Sequence, residues 1–161
     1  MRAFTAISVA RRFLSLAQND AEAVQDLTNM KLQKLCYFAQ LVAVCRNASQ
    51  PLISDPFHAW DWGPVEPKLF RLIKRFGATY FSLNNPSVAE AFSSAEDIKA
   101  IDEEADKIIS DVWGKFKTWT AVQLSALSHR RNSPWSCVYN SDRYGIIPIS
   151  KMVELRWGVP E

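Results

Sequence analysis

The stretch LTNMKLQKLCYFAQLVAVCR, residues 27–46, decides the fold. Thr28 has the side chain of a helix N-cap, because its oxygen can accept a backbone N–H that the first turn leaves unpaired. Behind it Leu32, Leu35, Cys36, Ala39, Val42 and Ala43 recur at helical spacing, and Tyr37, Phe38 and Leu41 widen that stripe. A helix that is apolar nearly all round must be surrounded by other elements, so this one is predicted to be central. The fold that follows is mainly α: a single helical domain over residues 1–161, with a small extended or β element near residues 57–62.

The flanking segments supply the surrounding helices. Residues 4–18 place Ile7, Ala10, Phe13, Leu14 and Ala17 on one face. Residues 21–27 fit either a turn or a short helix. Residues 97–116 carry the cleanest stripe, from Ile98 and Ile101 through Ile108 and Val112 to Phe116, behind a Ser94/Asp97 cap pair. Thr120 with Gln123 forms a second capping box ahead of Leu124 and Leu127. Pro134 opens a helical turn, and a last short helix capped by Ser150 carries Met152, Val153 and Trp157. The helical period disappears between residues 52 and 65, where Phe57-His58-Ala59-Trp60-Asp61-Trp62 alternates and reads as extended. Gly63-Pro64 is expected to end that segment and to start a helix over residues 65–76, closed by Gly77. Residues 78–92 read as irregular, with a turn at Asn84-Asn85-Pro86. The predicted core includes Leu35, Ala39, Ile101, Ile108, Val112 and Leu124.

Composition narrows the functional class. Nineteen basic and 17 acidic residues leave a net charge of +2, too small to imply nucleic acid or a membrane as partner. No apolar run approaches the length of a membrane span. Arg11 and Arg12 interrupt the first apolar run and break any signal-peptide core. Three cysteines with no C-x-x-C argue against a disulfide framework, so the expected compartment is the cytoplasm. The six tryptophans and nine phenylalanines are the marked feature, because aromatic side chains anchor cores and interfaces.

Enzyme constellations are absent from the reading. There is no Gly-rich phosphate loop and no G-x-S-x-G elbow. His58 and His129 are far apart, without metal-ligand spacing to each other or to the cysteines. A Cys137–His129 pair lacks an orienting carboxylate. No catalytic residue, cofactor or metal is therefore predicted. The segment 120–139 has the outline of a helix-turn-helix. Its second helix, however, reads Pro-Trp-Ser-Cys-Val-Tyr, which is poor in base-reading side chains.

Two charged helix faces remain. One is acidic, with Asp102, Glu103 and Asp106 opposite the Ile stripe. The other is basic, with Lys68, Arg71, Lys74 and Arg75 directly after Trp60 and Trp62. Each is either a solvated face or a docking surface. Interfaces place apolar anchors at the centre and charge at the rim, and only the basic side offers both in a short stretch. The candidate partner-binding residues are therefore Trp60, Trp62, Lys68, Arg71, Lys74 and Arg75, extended by Arg130 and Arg131.

Three motifs in this order carry a resemblance. They are LTNMKLQKLCYFAQ (residues 27–40), FHAWDWGPVEPKLF (57–70) and AVQLSALSHRRNSPW (121–135). They are similar to the pattern of the Panacea-domain family, also called SocA-like or phage-associated proteins. Its members show aliphatic-Thr-x-x-Lys-Leu-Gln-Lys-Leu, then an aromatic residue before Gly-Pro-Val-x-Pro, then Leu-Ser-x-x-Thr-His ahead of Pro-Trp. Trp62 stands where Tyr is common and Ser128 stands where Thr precedes the histidine. The resemblance implies an antitoxin, encoded beside a toxin gene in bacteria or their phages, that neutralises its cognate toxin by direct binding. One branch of the family is a proteolytic adaptor that delivers its toxin to a protease. A DNA-binding repressor, motivated by residues 120–139 and the basic helix, is the rival reading.

Overall fold

The computed structural model describes residues 1–21, 27–78, 82–95 and 99–156. Among them are eight α-helices and one two-stranded antiparallel sheet. The central helix α2 (Asn29–Arg46) is capped by Thr28, whose side chain accepts the Lys31 N–H at 3.2 Å. It is buried without interruption from Lys31 to Val44. Around it pack α1 (Ala6–Gln18), α3 (Pro67–Ile73), α5 (Glu103–Phe116), α6 (Ala121–Ser128) and α8 (Ile149–Leu155). The remaining helices are α4 (Pro86–Ser94) and α7 (Pro134–Ser141).

Strands β1 (His58–Trp60) and β2 (Gly63–Val65) form a hairpin that pairs His58 with Val65 and Trp60 with Gly63. The chain at Tyr144–Ile147 runs along the far edge of β1, with a bridge between His58 and Ile146. The opposite edge of the hairpin lies on α2.

Several boundaries differ from the sequence expectation. Gly63-Pro64 does not open a helix but forms β2. The helix starts at Pro67, because Glu66 caps it by accepting the Lys68 and Leu69 N–H groups at 3.0 and 2.7 Å. Pro67, not Pro64, is the first-turn proline. The stretch expected to be irregular contains α4: Asn85 caps it and Pro86 begins it, and burial of Val88, Ala91 and Phe92 stabilises it. Helix α5 begins at Glu103 behind an Asp102 cap, so Ile101 precedes it and is half-buried where a core position was expected. Helix α8 begins at Ile149, one residue ahead of the expected Ser150 cap. Asp97, Ile98, Trp157 and most of residues 21–27 lie outside the described residues. Leu35, Ala39, Ile108, Val112 and Leu124 are buried as expected, and Gly77 ends the α3 segment at φ +64°.

Candidate partner-binding face

The polar residues of α2 explain how the hairpin is held. Gln33 is buried and pairs with both backbone groups of Glu66: its Oε1 accepts the N–H at 3.0 Å and its Nε2 donates to the carbonyl at 3.2 Å. Lys34 donates from Nζ to the Pro64 carbonyl at 3.2 Å. Together they cover the β2 edge that would otherwise expose unpaired backbone. Lys31 donates to the Lys117 carbonyl at 2.6 Å, and Gln40 repeats the Gln33 arrangement seven residues on, at Ile53. Within the Lys-Leu-Gln-Lys-Leu motif, Lys31, Gln33 and Lys34 thus pair with the backbone of segments packed on α2, while Leu32 and Leu35 fill the core.

The other side of the hairpin is tied to α6 and α7. Ser125 donates to the Trp62 carbonyl at 3.0 Å, and the Trp135 indole donates to the Trp60 carbonyl at 2.8 Å. His129 stacks on Trp135 at 3.9 Å, and Trp135 on Tyr139 at 4.5 Å. Asp61, at the turn, accepts both tyrosine hydroxyls, Tyr139 and Tyr144, at 2.8 Å and pairs with Arg143. Those hydroxyls and the guanidinium hold its carboxyl below the usual range. This fastening presents Trp62 at the hairpin tip, where it is 72% exposed.

Beside Trp62 opens an apolar cleft of about 240 Å³. Its walls are Trp60, Trp62, Val65 and Phe70, its floor includes Gln33 and Lys34, and Met30 and Ala78 also line it. Trp60 is half-buried and meets Phe70 edge to face at 5.0 Å. The sequence-derived residues therefore separate into three groups. Trp60 and Trp62 share the cleft. Arg71, Lys74 and Arg75 are exposed on the helical segment that supplies Phe70, whereas Lys68 is held by Asp55 at 2.7 Å. Arg130 and Arg131 are exposed in the turn after His129, outside the cleft lining. Met30, Gln33, Lys34, Val65 and Phe70 were not among the sequence candidates. Their signal was the pair of polar residues inside an otherwise apolar helix.

The acidic face is partly consumed by the fold. Asp102 caps α5 through the Ala105 N–H at 2.9 Å, and Asp106 pairs with Arg12 at 2.5 Å. The helix-turn-helix outline loses its reading helix, because Pro134, Trp135, Ser136 and Val138 of α7 are buried. Among the described residues no group of His, Cys, Asp and Glu is placed to hold a metal ion, and no helix is long and apolar enough to cross a membrane.

Lys34 is electrostatically costly. Burial lowers its pKa from the ordinary 10.5 to about 7. His129 is lowered as well, first by burial and then by the Lys34 charge, with the Trp62 backbone opposing. The folded state therefore holds the Lys34 proton less tightly than the unfolded chain, so stability rises as pH increases from 7 towards 10.5. Relative to Lys34→Met, the wild type should gain about 2 kcal/mol of unfolding free energy between about pH 8 and 9.5, where Lys34 is largely neutral in the fold and charged in the unfolded chain, at 1.36 kcal/mol per unit. Urea titrations of both proteins across that window measure this directly, and parallel pH profiles would refute it.

The molecule is a mainly helical scaffold that fastens a tryptophan hairpin beside an apolar cleft. The family model "Antitoxin SocA-like, Panacea domain" matches residues 32–136, which take in most of α2, the hairpin, α6 and the start of α7. The chain belongs to this family. Antitoxin SocA of Caulobacter vibrioides (strain NA1000 / CB15N) is 30% identical over 134 residues, which cover 81% of this chain and 70% of that protein. No solved structure matches the chain.

Proposed function

We propose that this chain is the antitoxin of a bacterial or prophage toxin–antitoxin pair and neutralises a cognate protein toxin by direct binding. Membership of the family supports the antitoxin role. The observation that carries direct binding is Trp62, a large aromatic held exposed at the tip of a fastened hairpin, in the lining of an apolar cleft to which the basic helical segment also contributes. Rigid aromatic anchors with charge around them are the composition of an interface centre. The contact face is Trp60, Trp62, Arg71, Lys74 and Arg75, with Lys68 at its margin and Arg130 and Arg131 extending it beyond His129. The role needs no cofactor and no tuned catalytic group.

The test is co-expression with the toxin encoded beside this gene. Wild type should restore growth and co-purify with the toxin. Arg71→Glu with Arg75→Glu should slow association roughly tenfold at low salt and leave the fold intact, because rim charges steer encounter. Glu103→Lys is the control on the opposite charge: Glu103 is exposed, whereas Asp102 and Asp106 have structural partners. Failure of wild type to bind or rescue overturns the reading. Loss of binding by the control alone places the toxin elsewhere on the surface.

A further inference from the structure

We infer that the cleft between α2 and the hairpin receives one large apolar side chain from an acidic segment of the toxin, whose carboxylates flank that anchor and meet Lys74, Arg71 and Arg75. This rests on the antitoxin reading and adds the chemistry of the partner. The cleft is an apolar space left open to water, walled by Trp60, Trp62, Val65 and Phe70. The polar atoms of Gln33 and Lys34 in its floor are turned to the backbone of Glu66 and Pro64, so they do not make the space hydrophilic. Leaving such a surface wet is unfavourable for the free protein, and filling it with an apolar side chain releases that water.

Charge selects the kind of segment. Phe70 and Gly77 line the cleft, and Lys74 falls between them on the same helical face. Arg71 and Arg75 lie on the adjoining face. Lys68 is neutralised by Asp55, but none of Arg71, Lys74 and Arg75 has an acidic partner among the described residues. Glu66, the acidic residue nearest to them in sequence, is committed to capping α3. Arg71 and Lys74 beside an apolar cleft are complementary to an acidic partner and repel a basic one, and Arg75, which lies over the Phe76 ring and shares a separate hollow with Glu90, adds to that charge further along the segment.

The experiment measures affinity for the toxin encoded beside this gene, using the full chain. Ala78→Trp should block the cleft from its exposed end, and Trp62→Ala should remove a wall. Each should raise Kd at least about tenfold, as loss of a central anchor does. Circular dichroism and thermal midpoint should be unchanged, because both positions are exposed. Glu103→Lys, at an exposed position outside the cleft lining, should bind like wild type. Lys74→Glu should also weaken binding, and one acidic-to-lysine substitution in the toxin should restore it selectively. If wild type binds the toxin but folded Ala78→Trp and Trp62→Ala bind within twofold of it, the cleft is not the site, and the antitoxin reading stands without it. If Lys74→Glu binds more tightly than wild type, the partner segment is basic and the assignment fails. Absence of binding by wild type counts against the antitoxin reading itself.

Discussion

Gln40→Leu should destabilise the protein by roughly 2–5 kcal/mol, although the substitution removes no volume and adds apolar surface to a buried site. Gln40 is 2% exposed. Its Oε1 accepts the Ile53 N–H at 2.8 Å and its Nε2 donates to the Ile53 carbonyl at 2.9 Å. The neighbouring backbone cannot take over. Phe4 bridges to this segment through Leu52 and Ser54, donating to the Leu52 carbonyl and accepting the Ser54 N–H. The side chain of Gln40 therefore acts as the second strand for Ile53. Leucine would leave both groups buried and unpaired, each costing about 1–3 kcal/mol, against a partial gain from apolar burial. Urea unfolding should show a lower midpoint at constant m. A change below 1 kcal/mol would mean that water or a shifted backbone replaces the amide.

Signals that act over a few neighbouring residues were legible in the sequence, and choices between competing ones were not. Helix α2 could be read because a threonine cap and an apolar stripe are local signals, and both act within four residues. The capping box of Thr120 and Gln123 was legible for the same reason, and both of its bonds form. The errors fell where two local signals compete. Pro64 and Pro67 both suit a first helical turn, and the choice was made by Glu66, whose carboxylate reaches two N–H groups only if the helix begins at Pro67. Asn85-Pro86 is as good a helix start as a turn, and burial of Phe92 decides it. Ser94, expected as the cap of the next helix, ends α4 instead, and Asp102 is the residue that caps α5.

The proposed binding face was legible only in part. Trp60 and Trp62 stood out by composition, and the basic residues by spacing. The floor of the cleft did not, because a Lys-x-x-Lys pattern at a helix start ordinarily has its charged ends in water. Lys34 is 1% exposed only because the hairpin folds over it, a contact between residues 30 positions apart. What the sequence did offer was Gln33 and Gln40 one heptad apart in an apolar helix, each an amide able to pair with both backbone groups of one residue. Buried polar residues must be satisfied, so such a pair predicts two extended segments crossing the helix.

Gly63→Ala should cost roughly 2–5 kcal/mol and should disturb binding as well as stability. Gly63 sits at φ +109°, a conformation that L residues rarely adopt. A Cβ there would lie 2.7 Å from Lys34 Cε and 2.9 Å from Ser128 Oγ. Ser128 cannot withdraw freely, since its hydroxyl donates to the Ser125 carbonyl at 2.8 Å and its own carbonyl accepts from Ser133 at 2.7 Å. Lys34 can withdraw only by giving up Pro64. The alternative is movement of the hairpin tip, which breaks the Trp60–Gly63 pairing and the Ser125 bond to Trp62. Either route displaces the exposed tryptophan from the cleft it walls. The two contributions separate in a double-mutant cycle with Lys34→Ala: relief of the clash appears as coupling between the sites, while the backbone strain of the positive φ remains. A Gly63→Ala protein with an unchanged thermal midpoint would show that the hairpin tip is not clamped between α2 and α6. Loss of toxin binding at full stability would show instead that the tip can move, and that Trp62 must stay where the glycine puts it.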